Sequence, residues 1–211
     1  SLVVGTEVFN RMTALGFKGL ELLSPHGMRP FDKDRRGIVL GEACAAVVVG
    51  SEPKADAFRL IGSANLCDTH GVSAANPDGS TVAAVINGAL EDAGIAPSQV
   101  RAVKSHGTAS LLNDEAEAAG LKRVFGEQLP PVCALKPFIG HVFGACGLAE
   151  LVMMCAAAGA GFIPGTPGIS PTTGELGVML TQGATPVSRG ALLLNYFGFG
   201  GNNTALVVSN G

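Results

Sequence analysis

The chain has 211 residues, 47% hydrophobic and 15% charged, with a net charge of −3. That length carries one sizeable domain with much of it buried, and the absence of a basic field argues against nucleic acid as a partner. Five cysteines in irregular spacing read as reduced thiols of a cytoplasmic protein, "SLVVG" lacks the charged start of a signal peptide, and the longest apolar run, 151–163, is too short to span a membrane.

Residues 1–5 read as a buried strand, and residues 6–36 are mixed, ending in the charged loop "RPFDKDRRG". The β-rich runs 38–50 and 58–66, separated by "SEPKADA", predict an antiparallel pair. Residues 78–95 carry apolar positions at helical spacing, with Asp78 or Ser80 as N-cap. A short strand follows at 100–105. The spacing predicts a helix over 113–126, acidic at its start and closing on Lys122, Arg123 and a glycine, in keeping with the helix dipole. A strand at 131–135 and an apolar helix at 144–160 come next. Two strands, 190–197 and 203–209, joined by "GFGGN", give an antiparallel finish. Strands alternate with helices between 78 and 160, which predicts βαβ units and a largely parallel sheet. Chemistry in such sheets lies beyond the carboxyl ends of the strands. His106, His141 and Phe199 each follow a predicted strand or its loop, which places them at one rim.

The stretch "ALKPFIGHVFGACGLAE" (134–150) sets Lys136, His141 and Glu150 in a segment that otherwise reads as core. Charge there is costly unless paired or used. Taken singly, the parts are bland: an HG after a strand is usually a turn, GFGG a glycine-rich turn, and a lysine before proline a surface residue. Together they bring two histidines and a lysine to a rim walled by glycines. An imidazole whose other nitrogen is fixed can donate a hydrogen bond to a developing oxyanion. No metal site is expected, because Cys133, His141 and Cys146 have the wrong spacing for structural zinc.

Three segments, "SHGTASLLNDEAE" (105–117), "LKPFIGHVFGACGLAE" (135–150) and "NYFGFGGNNTALVV" (195–208), occur in an order and spacing that resemble the C-terminal half of the β-ketoacyl-acyl-carrier-protein synthases. "RPFDKDRRGIVLGEACAAVVV" (29–49) and "VVGTE" (3–7) resemble two further segments of that family, so the likeness spans the chain. It implies a thiolase-like α/β fold: the C-terminal half of a layered αβαβα architecture, with a mixed, mostly parallel sheet. Residues 1–50 would close the N-terminal half and 51–211 would form the C-terminal one. The implied activity is decarboxylative Claisen condensation of malonyl-carrier protein with an acyl thioester, in fatty acid or polyketide synthesis. His106 and His141 then resemble the two active-site histidines that stabilise an enolate oxygen. Lys136 resembles the family's active-site lysine, and Glu150 its ion-pair partner. Phe199 resembles a gating phenylalanine whose N–H helps form an oxyanion hole, with Gly198 and Gly200 beside it. Thr108 and Ser110 sit where the family holds the phosphopantetheine arm of the carrier protein. No cofactor is expected beyond that arm.

The family's nucleophile, a cysteine at a helix N-terminus, is not matched. Cys44, Cys67, Cys133, Cys146 and Cys155 all sit in runs that promise burial. The resemblance is therefore to half a synthase. Its complement would be an upstream segment or a partner subunit in a homo- or heterodimer, and alone it would leave a large apolar surface uncovered. The sequence also departs from the family pattern. Ser110 and Leu111 replace a threonine and a proline, Tyr196 a small serine, Ser73 a threonine, and Glu21 an expected basic residue. The last leaves Lys33, Arg35 and Arg36 as alternative contacts for an acidic carrier protein. A second reading is a non-catalytic partner resembling a chain-length factor. A third, weaker one is a thiolase-fold acyltransferase without decarboxylation.

Overall fold

The computed structural model describes residues 1–52, 54–169 and 176–211. Strand β1 (Leu2–Glu7) pairs antiparallel with β2 (Ala43–Val48), Leu2 facing Val48. Between them lies helix α1 (Arg11–Gly19), whose Asn10 cap accepts the N–H groups of Met12 and Thr13. Strand β3 (Arg59–Cys67) belongs to a second sheet, so the expected pairing of 38–50 with 58–66 does not form. The reason is that different helices claim the two apolar faces. Ala43 and Ala45 of β2 pack on Ala145, Cys146 and Ala149, whereas Ile61 and Ala64 of β3 pack with the opposite core. The linker 51–57 contains Pro53, which lies outside the described residues.

Among the described residues the second sheet has five strands in the order β3-β9-β8-β4-β5. Here β4 is Val100–Lys104, β5 Val132–Cys133, β8 Ala191–Phe197 and β9 Asn202–Ser209. β8 runs parallel to β4 and β4 to β5, while β9 is antiparallel to both β8 and β3. Only β9 therefore opposes the other four, and the expected antiparallel finish is β8–β9. Helices α2 (Ser80–Asp92) and α3 (Leu111–Phe125) cover one face, packing Val85, Ile86, Ala89 and Leu121 on Val103, Leu193 and Val207. Helix α5 (Cys146–Gly159) covers the other with Met154 and Ala158 against Leu192 and Leu194. Both faces of β8 are thus buried, which explains its unbroken "ALLL" run. The far side of α5 carries the β1–β2 sheet, so the layers run helix, sheet, helix, sheet.

Local signals shift slightly from expectation. The N-cap of α2 is Gly79 at φ +72°, and Asp78 instead accepts the Ser80 N–H at 2.7 Å. Helix α3 starts at Leu111, and a 3-10 turn over Phe143–Ala145 leads into α5. The short elements are α4 (Lys136–Ile139), β6 (Phe162–Ile163) and β7 (Thr185–Pro186). Leu2, Val4, Val8, Phe9, Met12 and Val48 are exposed apolar residues of β1, β2, α1 and the link between β1 and α1. No helix among the described residues is long and apolar enough to cross a membrane.

Gly62 sets the distance between the sheet and α2. A Cβ there would lie 2.4 Å from the Ala89 carbonyl oxygen and 2.6 Å from the Ala93 nitrogen, backbone atoms that cannot rotate away. Gly62→Ala is expected to cost about 1–3 kcal/mol by overpacking. Urea unfolding of the variant checks it; an unchanged midpoint would contradict this packing.

Candidate active site

β4 ends at Lys104, and the chain turns through Ser105 and His106 at the carboxyl end of the sheet. The turn is held from α3. Glu117 accepts the N–H of His106 at 2.7 Å, the N–H of Gly107 at 2.9 Å and an Asn195 side-chain N–H at 3.1 Å. His141 arrives from another direction, after α4. Its N–H donates to the Val39 carbonyl at 2.7 Å, and its carbonyl accepts the Gly41 N–H at 3.1 Å. That bridge needs glycine, because a Cβ on Gly41 would lie 1.9 Å from the Ile139 oxygen. The two imidazoles meet edge to face with centroids 5.8 Å apart.

Each imidazole has its Nδ1 occupied by a donor. Lys136 Nζ lies 3.3 Å from His106 Nδ1 and also donates to the His106 carbonyl at 2.6 Å. An ammonium has no lone pair, so this Nδ1 must accept. The Phe143 N–H donates to His141 Nδ1 at 3.2 Å, and the Cys146 thiol lies 3.3 Å from the same nitrogen. Both rings are therefore assigned the Nε2–H tautomer. Burial, then Lys136, His141 and Lys104, hold His106 well below the ordinary imidazole range. Burial followed by Lys136 lowers His141 to about 3. The pair is neutral near pH 7.

Behind the histidines lies a buried charge cluster. Glu150 accepts from Lys136 at 2.9 Å on Oε1 and from Lys104 at 2.5 Å on Oε2, with all three side chains fully buried. Burial opposes the charge on Glu150, but the two lysines outweigh it and hold its pKa down. Lys136 stays above its ordinary value, because Glu150 and other acidic neighbours outweigh burial. Lys104 falls below its ordinary value through burial, with Lys136 adding repulsion against the attraction of Glu150.

The pH signs oppose one another. Depressed histidines cost stability as pH falls below about 6.5, because only the unfolded imidazoles take up protons. Asp114, raised by burial to about 7, and Glu117, also raised by burial, cost stability as pH rises above the ordinary carboxylate range. Global stability thus reports a difference of these effects, whereas each imidazole reports directly.

A cleft of about 880 Å³ opens in front of the cluster, lined by His106, Thr108, Ser110, His141, Gly198 and Phe199 among others. Thr108 and Ser110 hydroxyls are 3.0 Å apart. Phe199 is half exposed and stacks on Phe17 of α1 at 5.7 Å. Three of the expected residues do not line the cleft. Lys136 and Glu150 lie behind the imidazoles, and Gly200 donates its N–H to the Val72 carbonyl. Arg35 is buried and donates to the Asp32 carbonyl, so of Lys33, Arg35 and Arg36 only Lys33 and Arg36 are exposed.

The motifs of the sequence do not point to Lys104, Glu117 or Asp114. Lys104 ends an apolar strand two residues before His106, hence on the same face, which is a readable signal. The acidic start of α3 suits its dipole, yet Asp114 and Glu117 within it are fully buried; Asp114 accepts the Phe31 N–H at 2.8 Å. Their three-residue spacing puts them on one side of α3. The cysteines also differ from expectation. Cys44 and Cys67 are exposed, on the small two-stranded sheet and at the end of an edge strand. Cys146 is the first residue of α5, a helix-terminal setting, yet burial raises its pKa against the pull of Lys136. Burial raises Cys133 to about 12 and Cys155 to about 11.

Glu150 balances two cations, so its loss and that of Lys136 are not equivalent. Glu150→Gln leaves two buried ammonium groups facing each other and is expected to cost about 3–5 kcal/mol. Lys136→Met still leaves Glu150 paired with Lys104 and is expected to cost less. Denaturant unfolding of both variants checks the order; an equal or larger loss for Lys136→Met would contradict the shared-carboxylate arrangement.

Comparison with known proteins agrees with this geometry. The family model for the β-ketoacyl synthase C-terminal domain matches residues 58–170. The 3-oxoacyl-[acyl-carrier-protein] synthase 2 of Synechocystis is 31% identical over 94% of this chain and 49% of its own length. That of Coxiella burnetii is 31% identical over 97% and 53%. Among solved structures, a ketosynthase in complex with its chain length factor from Xenorhabdus doucetiae superposes with a TM-score of 0.88 at 33% identity, over 99% of this chain and 52% of that one. A β-ketoacyl synthase from Burkholderia phymatum gives 0.90 at 28% identity, over 99% and 54%. The chain spans about half the length of these relatives. Its fold is the thiolase-like fold of the ketosynthases, and the chain belongs to the β-ketoacyl synthase family.

Proposed function

We propose that this chain is the C-terminal portion of a β-ketoacyl synthase that condenses a malonyl thioester with an acyl thioester. The observation that carries it is the pair of neutral imidazoles lining the cleft, each with Nδ1 occupied and Nε2–H left to donate. In the reaction, the bond between the malonyl α-carbon and its carboxylate breaks and CO₂ leaves. The electron pair passes to the thioester carbonyl oxygen as an enolate. His106 and His141 donate to that oxygen, and neutral donors serve because they need not surrender their protons. The enolate carbon then attacks the acyl thioester carbonyl, and the nucleophilic cysteine leaves as thiolate. Lys136, with Glu150 behind it, acts through His106 by fixing its tautomer and position.

Thr108 and Ser110, whose hydroxyls line the cleft, would hold the phosphopantetheine arm of an acyl carrier protein. Phe199 stands at the mouth against Phe17 and would gate the acyl chain. Gly198 and Gly200 spend their own N–H groups on backbone carbonyls, which leaves the Phe199 N–H as the oxyanion donor of that turn. Lys33 and Arg36 are the exposed cations for an acidic carrier. The nucleophile would lie outside this chain, because burial keeps the thiols of Cys133, Cys146 and Cys155 protonated and Cys44 and Cys67 lack a helix N-terminus. Residues 1–50 would close the N-terminal half and 51–211 form the C-terminal one, within a cytoplasmic homo- or heterodimer. A partner resembling a chain-length factor would have no use for two oriented imidazole donors.

The test is His141→Ala in the complete synthase. Release of CO₂ from malonyl-carrier protein is expected to fall about 10²–10³-fold, while acylation of the nucleophilic cysteine persists. Unchanged CO₂ release would contradict the role of His141, and stoichiometric acylation at Cys146 would overturn the placement of the nucleophile.

A further inference from the structure

Lys104 has no role in the chemistry described so far, yet it is placed as if it had one. It is fully buried, two residues before His106, at the carboxyl end of β4. Its ammonium has three directions to fill, and all three are filled. One N–H donates to Glu150 Oε2 at 2.5 Å, one to the Asn195 carbonyl at 2.6 Å, and the third side rests 3.6 Å from the centroid of the Tyr196 ring. Glu150 belongs to α5, Asn195 and Tyr196 to the end of β8, and Tyr196 lines the cleft.

This arrangement is a poor source of stability. One carboxylate faces two buried ammonium groups, and the remaining acid nearby, Glu117, is occupied by the backbone of His106 and Gly107. A buried ion pair is commonly no more stabilising than apolar side chains of the same volume, and a second cation on the same anion is worse. A methionine at 104 would leave Glu150 and Lys136 balanced one to one. Stability alone therefore gives no reason for a lysine there.

Geometry gives one. Glu150 holds Lys136, and Lys136 holds His106 by its carbonyl and by Nδ1. With a single partner, the carboxylate is free to rotate about its terminal torsion. With Lys104 on its second oxygen it is held at both ends, against strand β8 on one side and Lys136 on the other. We propose that Lys104 is a positioning residue: its ammonium clamps Glu150 to the end of β8 and so holds Lys136 against His106. This inference rests on the condensing reaction proposed above. It also accounts for Tyr196, whose ring caps the ammonium from the cleft side and is attracted to it.

The test is Lys104→Met in the complete synthase, with decarboxylation of a malonyl thioester as readout. The expected result is a folded variant whose unfolding midpoint is unchanged or raised, whose KM is unchanged, and whose kcat is lower by about tenfold to a hundredfold, the penalty of a misplaced donor. In Lys104→Ala, added methylammonium should restore much of the lost kcat. An unchanged kcat in Lys104→Met, or a kcat loss in Lys104→Ala that methylammonium leaves untouched, would overturn the clamp. If Lys104→Met does not fold, the unaltered chain labelled with ¹⁵N-lysine decides. Two ammonium signals protected from exchange at pH 7, from Lys104 and Lys136, support the clamp, and protection of Lys136 alone contradicts it. An unaltered synthase that releases no CO₂ contradicts the condensing reaction instead, and the lysine spectra then remain the test of the clamp.

Discussion

The charged groups behind His106 hang on one buried carboxylate. Glu150, on the central helix α5, is the only anion touching Lys104 and Lys136 among the described residues. Through them it connects β4, β8, α4 and α5. All three side chains are fully buried, so protein groups rather than bulk solvent must balance their charges. The surplus of positive charge has a direct chemical consequence. Together with burial it keeps both imidazoles neutral, since a proton on either would add a third or fourth cation to a buried site.

A second carboxylate works in parallel on the backbone. Glu117 gathers the N–H groups of His106 and Gly107, which otherwise would be orphaned where the chain leaves β4. Helix α3 thus orients the main chain of His106 while Lys136 orients its ring. His141 is oriented by neither. Its main chain is tied to residues 39–41 by a two-bond bridge and its ring to the Phe143 N–H. The two histidines are therefore positioned by separate devices that meet only at the rings, which lets one wall of the cleft vary without disturbing the other.

Much of this was legible in the sequence, for physical reasons. Alternating strands and helices between 78 and 160, and the apolar run of β8, forecast a sheet covered on both faces. Charges inside "ALKPFIGHVFGACGLAE" had to be paired, and Lys136 and Glu150 are 2.9 Å apart. What the sequence hid depends on contacts distant in the chain. Strand β2 chose β1 over β3 because its small face fits α5, a match that pattern alone does not encode. The helix dipole alone would account for acidic residues at the start of α3, and the burial of Asp114 and Glu117 is decided by backbone N–H groups 83 and 11 residues away. Lys104 looked like a strand end because its partners come from α5 and β8.

Both histidines stand neutral as Nε2–H donors. Imidazole ¹⁵N and proton spectra of the ¹⁵N-histidine-labelled chain, followed from pH 8 to pH 5, test it most directly. The expected result is a proton on Nε2 and an accepting Nδ1 for His106 and for His141, with neither ring titrating over that range, since His141 is lowered to about 3 and His106 lies well below its ordinary value. A proton on Nδ1 of either ring, or a titration midpoint near 6.5, would contradict the account.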